Sequence, residues 1–188
     1  MNLALIFAGG TGTRMNSKTK PKQFLELNGK PIIIHTIEFF ESHPEIDAIA
    51  VVCLESWIGY LNELLERFRI KKVKYVVPGG ETGQQSIRNG LTAFWDDQDI
   101  PRDSLVLIHD GVRPLINEDI ITRSIECAKQ YGNAITVTPA IETIITVSED
   151  DSVDQIMDRS KCRTPTHTCS PEAAAPARPP ARRYSQWR

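Results

Sequence analysis

The sequence predicts an α/β fold, a mostly parallel sheet with helices on both faces. Three observations carry that expectation. Short apolar runs alternate with segments of helical periodicity along the chain. The first run, Leu3 to Ala8, is apolar throughout, as a strand buried on both faces is. Glycines or polar residues follow directly on several of the runs. Ligands of such sheets sit outside the carboxyl ends of the strands, so those trailing residues are where a site is expected.

Taken in order, Leu3 to Ala8 is the first strand. Pro31 opens a helix carrying Ile33, Ile34, Ile37 and Phe40, with the proline in its first turn. Ala48 to Cys53 is the second strand, and residues 56–68 place Leu61, Leu64, Leu65 and Phe68 at helical spacing. Val73 to Val77 is the third strand, ahead of Pro78-Gly79-Gly80. Ile87, Leu91 and Phe94 mark a helix. Leu105 to Ile108 is the fourth strand, ending at His109-Asp110; residues 117–130 are helical; and Ala134 to Val137 is the fifth strand. The rhythm then changes. Ile141 to Val147 alternates in period two and Val153 to Met157 follows the acidic turn Ser148-Glu149-Asp150-Asp151, which reads as a hairpin. Such a hairpin either meets a second subunit or extends the sheet within one chain.

The length of 188 residues suits one domain, and the 40% hydrophobic and 24% charged content is that of a globular protein. A net charge of −2 argues against a nucleic-acid partner. No apolar stretch is long enough for a membrane helix, and the start MNLALIFAGG lacks a basic leader region, so the expected location is the cytoplasm. Cys53, Cys127, Cys162 and Cys169 form no C-x-x-C pair and read as reduced; Cys162, His167 and Cys169 have poor spacing for zinc.

Residues 1–163 have the composition of a folded domain, whereas residues 164–188 contain no Leu, Ile, Val, Phe or Met and hold five of the twelve prolines. Such a segment buries too little apolar area to offset its ordering entropy and is expected to be disordered. It is either a basic tail for an anionic partner or sequence never selected to fold, such as a frameshifted end.

The first strand runs into Ala8-Gly9-Gly10-Thr11-Gly12-Thr13-Arg14-Met15. Three glycines let backbone N–H groups approach an anion, and Arg14 adds a fixed positive charge. Pro21-Lys22-Gln23 follows. This combination suits a triphosphate, where backbone donors hold the anion and cations neutralise charge growing on a leaving pyrophosphate. A dinucleotide fingerprint fails, because Met15 stands where the third glycine or alanine belongs, and no Gly-Lys-Ser or Gly-Lys-Thr of a P-loop occurs. At the third strand end, Gly79-Gly80-Glu81 with Ser86 either admits a flat base or caps a helix. At the fourth, Asp110 is placed to hold Mg²⁺ beside phosphates, Arg113 to hold a second phosphate, and His109 to pack at the strand end.

In combination and order, AGGTGTRM, PKQF, GG-x5-S, HDGVRP, a P-x-x-E-T arm and DRS resemble the 2-C-methyl-D-erythritol 4-phosphate and D-ribitol-5-phosphate cytidylyltransferase family, over about residues 1–163. The resemblance implies a Rossmann-like nucleotidyltransferase fold with a protruding β-arm at about 139–160. It implies a homodimer that exchanges these arms, CTP and a polyol phosphate as substrates, and Mg²⁺. Carried over, Arg14 and Lys22 would be catalytic. Ala8, Gly9, Gly10, Gly80, Glu81 and Ser86 would contact the nucleotide, and Asp110 would hold the metal. Arg113, Thr143 and Arg159 would contact the polyol phosphate, the last two across the dimer. The Ala-Gly-Gly loop, HDGVRP and PKQFLEL lean toward the ribitol branch; the alternatives are methylerythritol phosphate and an inactive nucleotide-binding remnant. Glu81 and Gly83 depart from the Asp and Arg common in the family. The family's later residues, including an Asn-Ile-Lys strand, have no counterpart after Arg163, which favours the frameshift reading of the tail.

Overall fold

A computed structural model describes residues 1–9 and 20–170, with side chains as far as residue 164. In chain order its strands and helices are β1 (Asn2–Ala8), β2 (Glu26–Leu27), β3 (Lys30–Pro31), α1 (Ile32–Ser42), β4 (Ala48–Cys53), α2 (Ile58–Arg67), β5 (Val73–Pro78), α3 (Gly83–Asp96), β6 (Leu105–Asp110), α4 (Glu118–Tyr131), β7 (Ala134–Pro139), β8 (Ile145–Val147), β9 (Val153–Ile156) and β10 (Arg163–Ser170). Six of the strands make one sheet in the order β5-β4-β1-β6-β10-β7. The four from β5 to β6 run parallel; β10 lies antiparallel between β6 and β7.

The alternation along β1 and β4 explains the layers. Ala4, Ile6, Ala8, Ile49, Val51 and Cys53 face one way and pack with Ile33, Ile37 and Phe40 of α1, Leu61 and Leu64 of α2, and Ile121 and Ile125 of α4. Leu3, Leu5, Ala48, Ala50 and Val52 face the other way, against Phe94 of α3. Both faces are therefore apolar, which is why these strands read as unbroken hydrophobic runs. Each fully buried Ile, Leu or Phe contributes about 1.5–3 kcal/mol. α3 comes close to the sheet because position 90 is glycine: a Cβ there would lie 2.6 Å from Leu5 Cδ1 and 2.8 Å from Val52 Cγ2.

Local signals set the helix ends. The Thr82 side chain accepts from Gln85 N at 3.1 Å at the start of α3, and Asn117 Oδ1 accepts from Ile120 N at 2.9 Å at the start of α4. α4 ends on Gly132 at φ 86°, in the left-handed conformation that favours glycine.

Three differences from the sequence expectation stand out. β2 and β3 form a small hairpin through Asn28-Gly29, both at positive φ, and Asn-Gly is a strong two-residue hairpin signal. The alternating run from Ile141 becomes a strand only at Ile145; β8 and β9 pair as expected, Ile145 opposite Ile156. The boundary at residue 163 is corrected for residues 164–170, which were expected to be disordered but belong to β10. Thr168 pairs with Ile108 on one side and Ile135 on the other. Backbone pairing on both edges orders a stretch that has no large aliphatic side chain. The rest of the proposed tail, 171–188, lies outside the described residues.

Candidate active site

β1, β4, β5 and β6 end along one edge of the sheet. Ala8 pairs with Cys53, Cys53 with Pro78, and Phe7 with Asp110. Strand order reverses at β1, since β4 and β5 lie to one side of it and β6 to the other; ligands of open α/β sheets bind at such a reversal.

Three loops meet there so closely that a Cβ on their glycines would be tight. A Cβ on Gly9 would stand 3.1 Å from Ser86 Oγ and 3.3 Å from Gly79 Cα, and one on Gly111 would stand 3.0 Å from Ala8 Cβ. Ladder-like bonds carry two of these loops past the strand ends: Gly79 N donates to Cys53 O at 2.7 Å and Gly111 N to Phe7 O at 3.0 Å. Small residues thus let the backbones of these loops approach one another closely at this edge.

Ser86, read from sequence as a nucleotide contact or a cap, is 4% exposed. Its hydroxyl donates to Thr82 O at 3.0 Å and accepts from Gly80 N at 3.0 Å. It closes the turn that carries Gly80 and Glu81. Glu81 itself is exposed, its N–H donating to Gln85 Oε1 at 3.2 Å.

Asp110 ends β6 with its carboxylate partly open. Oδ1 accepts from Val112 N at 3.1 Å, and Oδ2 faces Arg113 Nε at 3.4 Å. Asp110 and Arg113, read from sequence as a metal ligand and a phosphate contact, form an ion pair with each other here. His109 packs as expected, buried against Phe40, with Nε2 3.0 Å from Arg113 O. Among the described residues no three His, Cys, Asp or Glu side chains cluster to hold a metal. A single strand-end carboxylate fits Mg²⁺, which keeps waters and takes its other ligands from phosphates, and does not fit a caged structural metal.

Lys22 begins a short 3₁₀ turn, Lys22–Phe24, and makes no ion pair or side-chain hydrogen bond among the described residues. Sequence reasoning gave Gln23 no role of its own. It is 1% exposed and donates from Nε2 to Ala8 O at 2.7 Å. Phe24 stacks on Trp57 with centroids 5.0 Å apart and meets Tyr60 edge-on at 5.4 Å. The polar amide between Lys22 and the apolar Phe24 was the available signal. Gly10 and Arg14 lie outside the described residues.

The expected arm residues do not join this group within one chain. Arg159 donates to Ile141 O at 3.0 Å inside the arm, and Thr143 is exposed. Arg159 and Arg163 line an open cleft at the arm's base with Pro139, Ala140, Asp158 and Ser160. Cys53 is not a nucleophile candidate: burial pushes its thiol up to about 11. No helix among the described residues is long and apolar enough to cross a membrane.

Parallel strands ending in glycine turns beside a carboxylate and cations, with one inverted strand in the sheet, define an α/β nucleotidyltransferase-type domain. The profile of the 2-C-methyl-D-erythritol 4-phosphate cytidylyltransferase family matches residues 2–169, and the chain belongs to that family. It is similar to a ribitol-5-phosphate cytidylyltransferase of Vibrio parahaemolyticus, 58% identical over 163 residues that cover 87% of this chain and 68% of the relative. It is also similar to a 2-C-methyl-D-erythritol 4-phosphate cytidylyltransferase of Clostridium acetobutylicum, 41% identical over 162 residues, 86% of this chain and 68% of the relative. The chain spans about two thirds of the length of such curated relatives, 66% in some cases. Among solved structures, 4-diphosphocytidyl-2C-methyl-D-erythritol synthase from Anaerococcus prevotii superposes with a TM-score of 0.74 at 27% identity, covering 89% of this chain and 68% of that one.

Proposed function

We propose that this chain carries the transfer of CMP from CTP to D-ribitol 5-phosphate, giving CDP-ribitol and pyrophosphate. The observation that supports the acceptor is the identity gap over nearly the same span: 58% to a ribitol-5-phosphate enzyme against 41% to a methylerythritol-phosphate enzyme. On this reading an oxygen of the ribitol phosphate attacks the α-phosphorus of CTP. A new P–O bond forms, the bond to the bridging oxygen breaks, and pyrophosphate leaves with that electron pair.

The chemistry asks the protein for positioning and for stabilisation of growing negative charge. Backbone N–H groups at Gly9 and Gly10 hold the triphosphate, and Lys22 and Arg14 neutralise the transferring and leaving groups. Ala8, Gly80 and Glu81 line the nucleoside, with Ser86 keeping Gly80 in place. Asp110 would hold Mg²⁺, which neutralises phosphate charge when bound. Arg113 faces the acceptor phosphate. Thr143 and Arg159 serve the acceptor of a second copy through a homodimer built on the arm, which accounts for their separation from the strand-end group in one chain. The reaction runs in the cytoplasm, with no nucleic acid or membrane partner.

The test mixes purified chain with CTP, Mg²⁺ and either ribitol 5-phosphate or methylerythritol 4-phosphate and follows pyrophosphate. Faster release with ribitol 5-phosphate is the expected result; preference for methylerythritol 4-phosphate reassigns the acceptor. No release with either from a folded sample points to a nucleotide-binding remnant. Competition of CTP with UTP, ATP and GTP checks the base, and preference for a purine rejects the assignment of the Gly80 to Ser86 turn.

A further inference from the structure

The stretch between β1 and the Lys22 turn is long, yet its two ends are joined by one buried hydrogen bond. Ala8 is the last residue of β1 and immediately precedes Gly9; Gln23 immediately follows Lys22. The bond from Gln23 Nε2 to Ala8 O, 2.7 Å long, therefore sets the spacing between Gly9 and Lys22 directly, whatever path the intervening chain takes. The turn itself is closed by Phe24 N donating to Pro21 O at 2.9 Å and Leu25 N to Lys22 O at 3.2 Å. Its far side is held by Phe24, 0% exposed and stacked on Trp57, ahead of Ile32 N donating to Leu25 O at 2.9 Å. Packing alone would be met by an apolar side chain; a buried carboxamide must be hydrogen-bonded to be tolerated, and here one of its bonds reaches the backbone beside the candidate phosphate loop.

We propose that Gln23 is a positioning residue, stapling the Lys22 turn to the end of β1 so that the Lys22 ammonium and the Gly9 backbone face the same phosphate. The inference rests on the reading of Lys22 as a phosphate-contacting group. It makes a specific demand: the effect of Gln23 must pass through Lys22.

A double-mutant cycle of Gln23→Leu and Lys22→Ala tests this, read in kcat and KM with CTP, Mg²⁺ and the polyol phosphate and, separately, in CTP affinity by calorimetry. Thermal melts confirm folding. Gln23→Leu should lower kcat by roughly 100-fold, the scale of an ångström-level misplacement, with a smaller change in KM. The double variant should be no slower than Lys22→Ala alone. Gln23→Glu supplies an independent readout and serves if Gln23→Leu fails to fold. A neutral glutamic acid donates to Ala8 O as the amide does, whereas the carboxylate cannot, so activity or CTP affinity should recover as pH falls in this variant and not in the parent. Multiplying losses in the double variant, parental behaviour of Gln23→Leu, or Lys22→Ala without effect in either readout overturns the proposal. Should the parent bind CTP and not turn over, the reaction proposed above fails while the affinity cycle still decides the role of Gln23.

Discussion

β4 and the β8–β9 hairpin share Ile and Val, set among Ala and Cys in β4 and among Thr146, Asp154 and Gln155 in the hairpin, and meet opposite fates. Every residue of β4 is buried, and every residue of β8 and β9 is exposed. β4 has a partner strand on each side and helices on both faces. Among the described residues the hairpin pairs only with itself, and Ile145, Val147, Val153 and Ile156 remain 45–68% exposed. An isolated two-stranded hairpin is marginal in water, so β-forming composition does not by itself tell a core strand from an arm. The candidate site sits on the half of the sheet that one chain completes, where its residues are held by packing. The arm sits where completion needs something more, which fits the proposal that it serves a second copy.

The sharpest way to break this contrast is Lys22→Ala. If chemistry resides on the buried half, kcat should fall by roughly 100- to 1000-fold, about 2.7–4 kcal/mol by comparison with single oxyanion donors, at an unchanged melting temperature. Parental turnover would move the chemistry elsewhere. Next is Gly90→Val, which drives a branched side chain into Leu5 and Val52 where α3 meets the sheet. A loss of about 2–3 kcal/mol in urea unfolding is expected for such overpacking; a neutral result would show that α3 is not tightly seated. Asn117→Ala removes the cap of α4 and should lower stability by about 1 kcal/mol in the same measurement. The smallest effect is expected for Ile145→Ser combined with Ile156→Ser. Exposed on the arm, the pair should shift monomer stability by no more than about 0.5 kcal/mol while shifting sedimentation from dimer to monomer. A larger loss of stability would show that the arm is packed within its own chain.

Much of the fold was legible because core strands of a parallel sheet must be apolar on both faces, and Leu3 to Ala8, Ala48 to Cys53 and Leu105 to Ile108 are. β10 was missed for the complementary reason. Thr-Pro-Thr-His-Thr-Cys carries no large aliphatic residue, and its order comes from ladder bonds to β6 and β7 that lie far away in sequence. The Asn28-Gly29 hairpin was overlooked although its turn signal was present. In the site, the glycines and Asp110 were readable from their position after strands. The inward turn of the Gln23 amide was not, because it depends on the Lys22 turn meeting the end of β1; nor was the double duty of the Ser86 hydroxyl, which depends on the geometry of its own turn.

The sequence alone determined the alternation of strands and helices, the glycines and Asp110 that follow the strands, and the period-two arm, since each follows from local periodicity and residue chemistry. Tertiary structure decided that Gly9, Gly79 and Gly111 converge around the end of β1, that Gln23 bonds to Ala8, that Asp110 pairs with Arg113, and that β10 lies inverted in the sheet. Those arrangements are contacts between segments distant along the chain or turn geometry set by packing, and no local pattern encodes their energies.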